Sequence, residues 1–184
     1  IAALQDEDPS VREAAAKALG AIGDAKAILA LEEALKDDNL EVRVAAAWAL
    51  GEIGDAKAIL ALKIALQDDN VYVREAAAEA LGEIGAAQAI PALKEALKDE
   101  NVYVREAAAK ALGAIGDAQA ILALEEALKD ENPRVCLAAA KALAKIDIWK
   151  AISVFTMLLL EDAISDDKQK VVSSIFADCL RDAC

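Results

Sequence analysis

The chain has 184 residues and no histidine, and that one absence limits what its other reactive side chains can do. It leaves no Ser-His-Asp or Cys-His machinery and no histidine-assisted metal site. Carboxylates are plentiful. Glu75, Glu79 and Glu83 fall at helical spacing, where a run of carboxyls could move protons; on an open helix face the same run is solvated charge. Asp68-Asp69-Asn70 and its copies faintly suggest calcium. An EF-hand, however, draws about six oxygen ligands from a loop of about twelve residues, and these short stretches read as helix caps. The Gly-x-Ile-Gly pairs match neither Gly-x-Gly-x-x-Gly nor Gly-x4-Gly-Lys-Ser/Thr, so no phosphate loop is expected. No catalytic residue, metal ligand or cofactor follows from any of these.

What remains is recognition chemistry. Trp48, Tyr72 and Tyr103 recur at one kind of helical position, among Glu41, Glu52, Glu75, Glu79, Glu83 and Glu106, with Val44 and Leu137 in the same phase. Aromatic side chains ringed by polar groups are typical binding anchors. The glutamates would favour a cationic edge on whatever binds. The aromatic residues admit a second reading, as covers lying over seams between repeats, and a third, as part of a small-molecule site.

The elements that must hold these residues are copies of one unit. Asp99–Lys129 repeats Asp68–Lys98, and the same pattern begins at Asp37 and at Asp6. Fixed-period self-similarity of this length marks a repeat array. Each unit has two apolar-periodic segments. In the first copy, one puts Val11, Ala15, Ala18, Leu19 and Ile22 on a face; the other does the same with Ala27, Ile28, Leu31, Ala34 and Leu35. Asp8, Asn39, Asn70, Asn101 and Asn132 stand where a short polar side chain caps the first helix, and Asp24, Asp55 and Asp117 where one caps the second. Pro9 and Pro133 take the first helical position. Gly23, Gly54, Gly85 and Gly116 are placed to end the first helix with positive φ, and Gly20, Gly51, Gly82 and Gly113 to permit a close crossing. Neither helix of such a hairpin can bury its stripe without a neighbouring unit.

The reading in order is a single solenoid over 1–184. Residues 1–5 form the last turn of a second helix whose beginning is absent; 6–36, 37–67, 68–98, 99–129 and 130–160 are the repeats; 161–184 form a C-terminal cap. Arg12, Arg43, Arg74 and Arg105 recur opposite Asp37, Asp68, Asp99 and Asp130, an Arg–Asp ladder between units in which bidentate pairing would give definition, with anion recognition as the second reading of the arginines. The fifth copy departs from the pattern. Cys136 replaces the ladder arginine, Ala144 and Asp147 replace the glycines, and Ile148 replaces the capping aspartate. Thr156, Met157 and Leu160 make a solvent stripe apolar. A following amphipathic segment with Val172, Ile175, Phe176, Cys179 and Leu180 is the candidate to cover it, as a cap, or else as a dimer or partner interface.

The signature V-R-x-A-A-A-x-A-L-G-x-I-G-D…A-I-x-A-L…A-L-x-D resembles the short HEAT-like repeat of the phycobilisome-lyase E/F type, with Ala89–Leu93 especially similar. It also resembles artificial 31-residue alpha-helical repeat scaffolds. The resemblance covers 6–144. It implies an all-α fold, a right-handed α-α superhelix of about five two-helix repeats plus a C-terminal capping helix, whose first helices line the concave wall. The di-iron hydroxylases built on such repeats need paired His-Glu motifs, which a histidine-free chain lacks.

Outward positions of the inner wall then run Ser10, Glu13, Lys17 and Ala21; Glu41, Val44, Trp48 and Glu52; Tyr72, Glu75, Glu79 and Glu83; Tyr103, Glu106, Lys110 and Ala114; Arg134, Leu137, Lys141 and Lys145. The sign reverses towards the C-terminal end, so a ligand along the groove would feel an electrical direction. Leu29, Leu60, Ile64 and Leu122 mark a second contact surface on the outer wall.

A net charge of −13 argues against nucleic acid, which demands cationic stripes, and against an anionic membrane surface. The longest apolar window, Ala151–Leu160, is too short to span a bilayer. Cys136, Cys179 and Cys184 are odd in number and unpatterned, which suits a cytoplasmic protein. The expected function is a non-catalytic protein- or peptide-binding scaffold whose partner carries a basic and apolar patch, with the ends of the stack as a route to self-association. The alternative implied by the resemblance is a bilin-lyase-type subunit or chaperone that handles a tetrapyrrole for a phycobiliprotein.

Overall fold

The computed structural model describes residues 1–160, the side chains of 155 and 157–160 excepted. Five helix hairpins follow one another. Their first helices are α1 (Pro9–Ile22), α3 (Leu40–Ile53), α5 (Val71–Ile84), α7 (Val102–Ile115) and α9 (Pro133–Ile146). Their second helices are α2 (Ile28–Ala34), α4 (Ile59–Ala65), α6 (Ile90–Ala96), α8 (Ile121–Ala127) and α10 (Ile148–Leu160). Residues Ala2–Gln5 form a 3-10 turn whose Leu4 is buried, as its correspondence to Leu35 requires. The expected cap over 161–184, with the apolar stripe at Met157 and Leu160, lies outside the described residues.

Helix ends form where the short polar residues stand. Asp8, Asn70, Asn101 and Asn132 each accept the backbone N–H two residues on, and Asn39 accepts that of Val42 at 3.1 Å. These bonds satisfy donors that a first turn leaves without intrahelical partners. Two departures follow from local chemistry. The second segment is not one continuous helix: a 3-10 turn (Ala25–Ala27 in the first copy) precedes each of α2, α4, α6 and α8. In the fifth unit, loss of the capping aspartate at 148 is made good one residue earlier. Asp147 ends α9 in an extended conformation, and its carboxylate accepts the Lys150 N–H at 3.0 Å.

Glycine acts twice in each of the first four units, as the second unit shows. Gly54 closes α3 at φ +71°, a left-handed conformation that suits a residue without Cβ. Gly51 lets α5 approach: a Cβ there would stand 2.8 Å from the Ala80 Cα. First helices consequently pack on one another along their length, α1 on α3 through to α7 on α9, while adjacent second helices meet mainly through the intervening turns. A ribbon with one edge spaced more closely bends towards that edge, so the first helices form the inner wall.

The core runs between the two walls. Leu31, Leu50, Leu62, Leu81, Leu93, Leu112, Leu124 and Leu143 are fully buried there. The predicted apolar face of α1 is an exception that needs correcting. Val11 and Ile22 are 39% and 69% exposed, whereas Val42, the equivalent of Val11 one unit on, is fully buried. Ala18 is exposed, while its equivalent Ala49 packs against Gly20. These residues face the side on which the preceding unit stacks in every later copy, and among the described residues no first helix lies there.

The ladder forms as the spacing implies. Arg74 grips Asp99 through Nε at 2.8 Å and Nη2 at 3.0 Å, and Arg12–Asp37 and Arg105–Asp130 do the same. Arg43 lies 3.0 Å from Asp68. Each arginine also donates through Nη1 to two carbonyls of the turn before its own helix, Asp68 and Asp69 for Arg74. One side chain thus staples two successive turns, and the Arg12 guanidinium holds the Asp37 carboxyl below its ordinary value. In the fifth unit Cys136 is buried and its Sγ donates to the Asp130 carbonyl at 3.1 Å.

Candidate functional site

All the anticipated inner-wall residues lie on α1, α3, α5, α7 and α9, and none is fully buried. The helices position them by period: on α3, Glu41, Val44 and Trp48 share one face because they are three and four residues apart. The aromatic residues are well exposed, Trp48 by 45%, Tyr72 by 60% and Tyr103 by 46%.

The wall is not one continuous aromatic surface. Trp48 and Tyr72 share a cleft of about 460 Å³ with Glu41, Val44, Glu75 and Glu79, over a floor completed by Leu40 and Ala76 and an edge made by Glu13 and Lys17. The indole Nε1–H of Trp48 donates to Glu79 at 3.3 Å. Tyr103 stands apart, with the Arg134 guanidinium 4.9 Å from its ring centre, within range of a cation–π contact. Glu106 and Leu137 line a second cleft of about 470 Å³ with Lys110, Arg134, Lys141 and Lys145. Glu52 lies in neither; its carboxylate folds back over Gly20 of the preceding unit, and Glu83 does the same over Gly51. Glycine at those positions leaves room for the carboxylates as well as for the helix crossing.

Charge is distributed unevenly along the wall. Glu41, Glu75 and Glu79 have no cation within ion-pair distance among the described residues, while Lys17 is held by Glu13 at 2.5 Å. Burial, then the neighbouring carboxylates Glu79 and Glu106, pushes the Glu75 carboxyl above its ordinary value. Burial, then Glu52 and Glu79, does so for Glu83. At Glu106 burial also raises the carboxyl, but hydrogen bonds from Lys110 and Arg134 outweigh it and leave the group low. Arg134, expected to offer free positive charge, is engaged by Glu106 at 2.7 Å and by Tyr103; Lys141 and Lys145 remain exposed beyond it.

Leu40 and Ala76 complete the first cleft and were not anticipated. Leu40 occupies the first position of α3, where the other units carry proline or valine. That larger side chain, beside the change to tryptophan at 48, is the signal that marks the second unit. On the outer wall Leu60, Ile64 and Ala61 flank a shallow depression of about 760 Å³ bounded by the turn residues Asp38 and Asp69 and by Arg43 of α3. Among the described residues no helix is long and apolar enough to cross a membrane, and no cluster of acidic or sulfur ligands is arranged for a metal ion.

A family model for HEAT repeats matches residues 1–81, 30–102, 60–131 and 94–175 in overlapping copies. No curated protein matches the sequence. Among solved structures, the complex of CpcE and CpcF of phycocyanin lyase from Nostoc sp. PCC7120 is similar at 32% identity, with 93% of this chain and 72% of that chain covered and a TM-score of 0.71. An engineered protein is similar at 26% identity over 98% of this chain and 94% of its own, with a TM-score of 0.58. A designed armadillo repeat protein, solved in complex with the peptide (KR)4, shares the fold at 21% identity over 97% and 96%, with a TM-score of 0.64.

Proposed function

The chain belongs to the HEAT-repeat family, and on that footing we propose that it is a non-catalytic scaffold binding a protein or peptide along its inner wall. The observation that carries this is the Trp48–Tyr72 cleft. Two exposed aromatic rings stand over an apolar floor of Leu40, Val44 and Ala76, inside a rim where Glu41, Glu75 and Glu79 have no cation in ion-pair range among the described residues. Exposed aromatic anchors over a small apolar floor, with charge at the edge, are the anatomy of a binding hot spot. The rim selects a partner with lysine or arginine beside its apolar residues.

Relatives agree with a binding role in kind. One is a complex of two chains and another holds a basic peptide. A bilin-handling role, which likeness to the phycocyanin lyase complex suggests, fits this wall less well. The propionates of a tetrapyrrole would meet Glu41, Glu75 and Glu79 in the Trp48–Tyr72 cleft. The test is selection of binders from a peptide array containing basic–apolar segments, followed by titration of the best against the protein and its Trp48→Ala/Tyr72→Ala variant. The proposal expects affinity to fall at least tenfold, and retention of every selected peptide at full affinity would refute it.

A further inference from the structure

The two clefts of the inner wall are alike in size and opposite in charge. The Trp48–Tyr72 cleft has four lining carboxylates to one ammonium, and that ammonium, Lys17, is already paired with Glu13. The cleft between α7 and α9 has four cations to one carboxylate. Its carboxylate, Glu106, is taken by Lys110 and Arg134, each at 2.7 Å, which leaves Lys141 and Lys145 with no carboxylate in ion-pair range among the described residues.

Each cleft therefore suits a different end of one ligand. In the first, an arginine or lysine would lay its aliphatic stem between the Trp48 and Tyr72 rings and its cation among Glu41, Glu75 and Glu79, a division of the side chain into apolar stem and charged head. In the second, an aspartate or glutamate would meet Lys141 and Lys145. Two repeat steps separate the clefts. At about 8–10 Å for each helix-to-helix step, the span is about 18 Å. An extended chain rises about 3.3 Å per residue, so about five or six residues bridge it.

We infer that the inner wall recognises polarity within a polypeptide: an extended segment with a basic side chain and an acidic one about five or six residues apart. This rests on the reading of the wall as a polypeptide groove. A uniformly basic segment satisfies only the first cleft and is repelled at the second. A segment of the same composition with its charges interleaved places like charge against both.

The experiment uses the full chain carrying Trp149→Phe, so that Trp48 is the sole indole. Capped peptides of two arginines, a four-residue neutral spacer and two glutamates, in both orders, are titrated against it by tryptophan emission. The controls are a peptide of identical composition with alternating charges and one with arginine in place of the glutamates. One order is expected to bind at least fivefold tighter than the alternating peptide, and Lys141→Glu/Lys145→Glu to abolish the difference. Equal affinity of ordered and alternating peptides, or an advantage that survives the lysine reversal, overturns the inference. If in either of those cases the arginine-only peptide still binds, the groove stands and polarity alone fails. If no peptide alters Trp48 emission, the groove falls with it.

Discussion

The Trp48 indole N–H meets the Glu79 carboxylate at 3.3 Å, and the two residues occupy the same position of adjacent repeats, 31 apart. One repeat has exchanged a charged residue for an aromatic ring that leans on its own counterpart in the next. The bond orients the ring across the seam and brings Glu79 to the edge of the apolar floor.

That relation separates the ring from its hydrogen bond. Trp48→Phe keeps an aromatic wall and removes the N–H donor, so peptide affinity should fall only a few-fold. Trp48→Ala removes the wall and should cost at least tenfold, on the order of the 1.4 kcal/mol that one decade represents. Isothermal titration of one basic peptide against both variants checks the ranking.

The ladder makes a prediction about stability. Arg74 is nearly buried, and its removal leaves Asp99 beside two carbonyls that lose their donor. Breaking a buried pair from one side costs about 3 kcal/mol, so Arg74→Ala should lower the urea midpoint clearly. Arg74→Lys, which cannot form the two-pronged contact, should recover only part of the loss.

Gly51→Ala tests the close crossing. The added Cβ meets Ala80 backbone, which has no rotamer by which to move aside, and overpacking of this kind costs about 1–3 kcal/mol. Gly23→Ala offers a contrast: it meets open space and is disfavoured only by its φ of +71°. Thermal melts of the two should show the larger drop for Gly51→Ala.

Much of this architecture is legible in the sequence because it is local or strictly periodic. Caps at Asn70 and Asn101 need only a short side chain before an apolar run, and the Arg74–Asp99 pair repeats often enough to betray its partner. The clefts are less legible. Tyr103 carries Arg134 over its ring, and the reach of Arg134 to Glu106 crosses between helices at a separation of 28 residues, unlike the repeat period. Leu40 reads as an ordinary helix start until the packing of α3 on α5 makes it part of the cleft that Trp48 and Tyr72 line. The 3-10 turn at Ala25–Ala27 leaves no mark either, since alanine fits it and an α-helix equally well.

The pKa shifts predict opposite effects of acid on stability and on binding. Glu75 and Glu83 are raised in the folded chain above the ordinary 4.5. Their contribution to stability is therefore complete below the ordinary carboxyl range and lost as pH rises through the raised values. Glu75→Gln/Glu83→Gln should raise the thermal midpoint at about pH 7 and leave it unchanged at about pH 3. Asp37, held low by Arg12, behaves in reverse, its contribution present above the ordinary range and lost as pH falls through the lowered value. A basic peptide needs Glu75 ionised, so its affinity should begin to fall on acidification at a pH above 4.5.

Binding along the inner wall is tested by locating a bound peptide on the surface. A selected basic peptide carrying a photoreactive group can be cross-linked to the full chain and the attachment sites read by mass spectrometry. Attachment is expected on the inner wall at α3 and α5, between Leu40 and Glu83, and should be lost in Trp48→Ala/Tyr72→Ala. Attachment on the outer wall around Leu60 and Ile64, unchanged by that double substitution, would contradict binding along the inner wall.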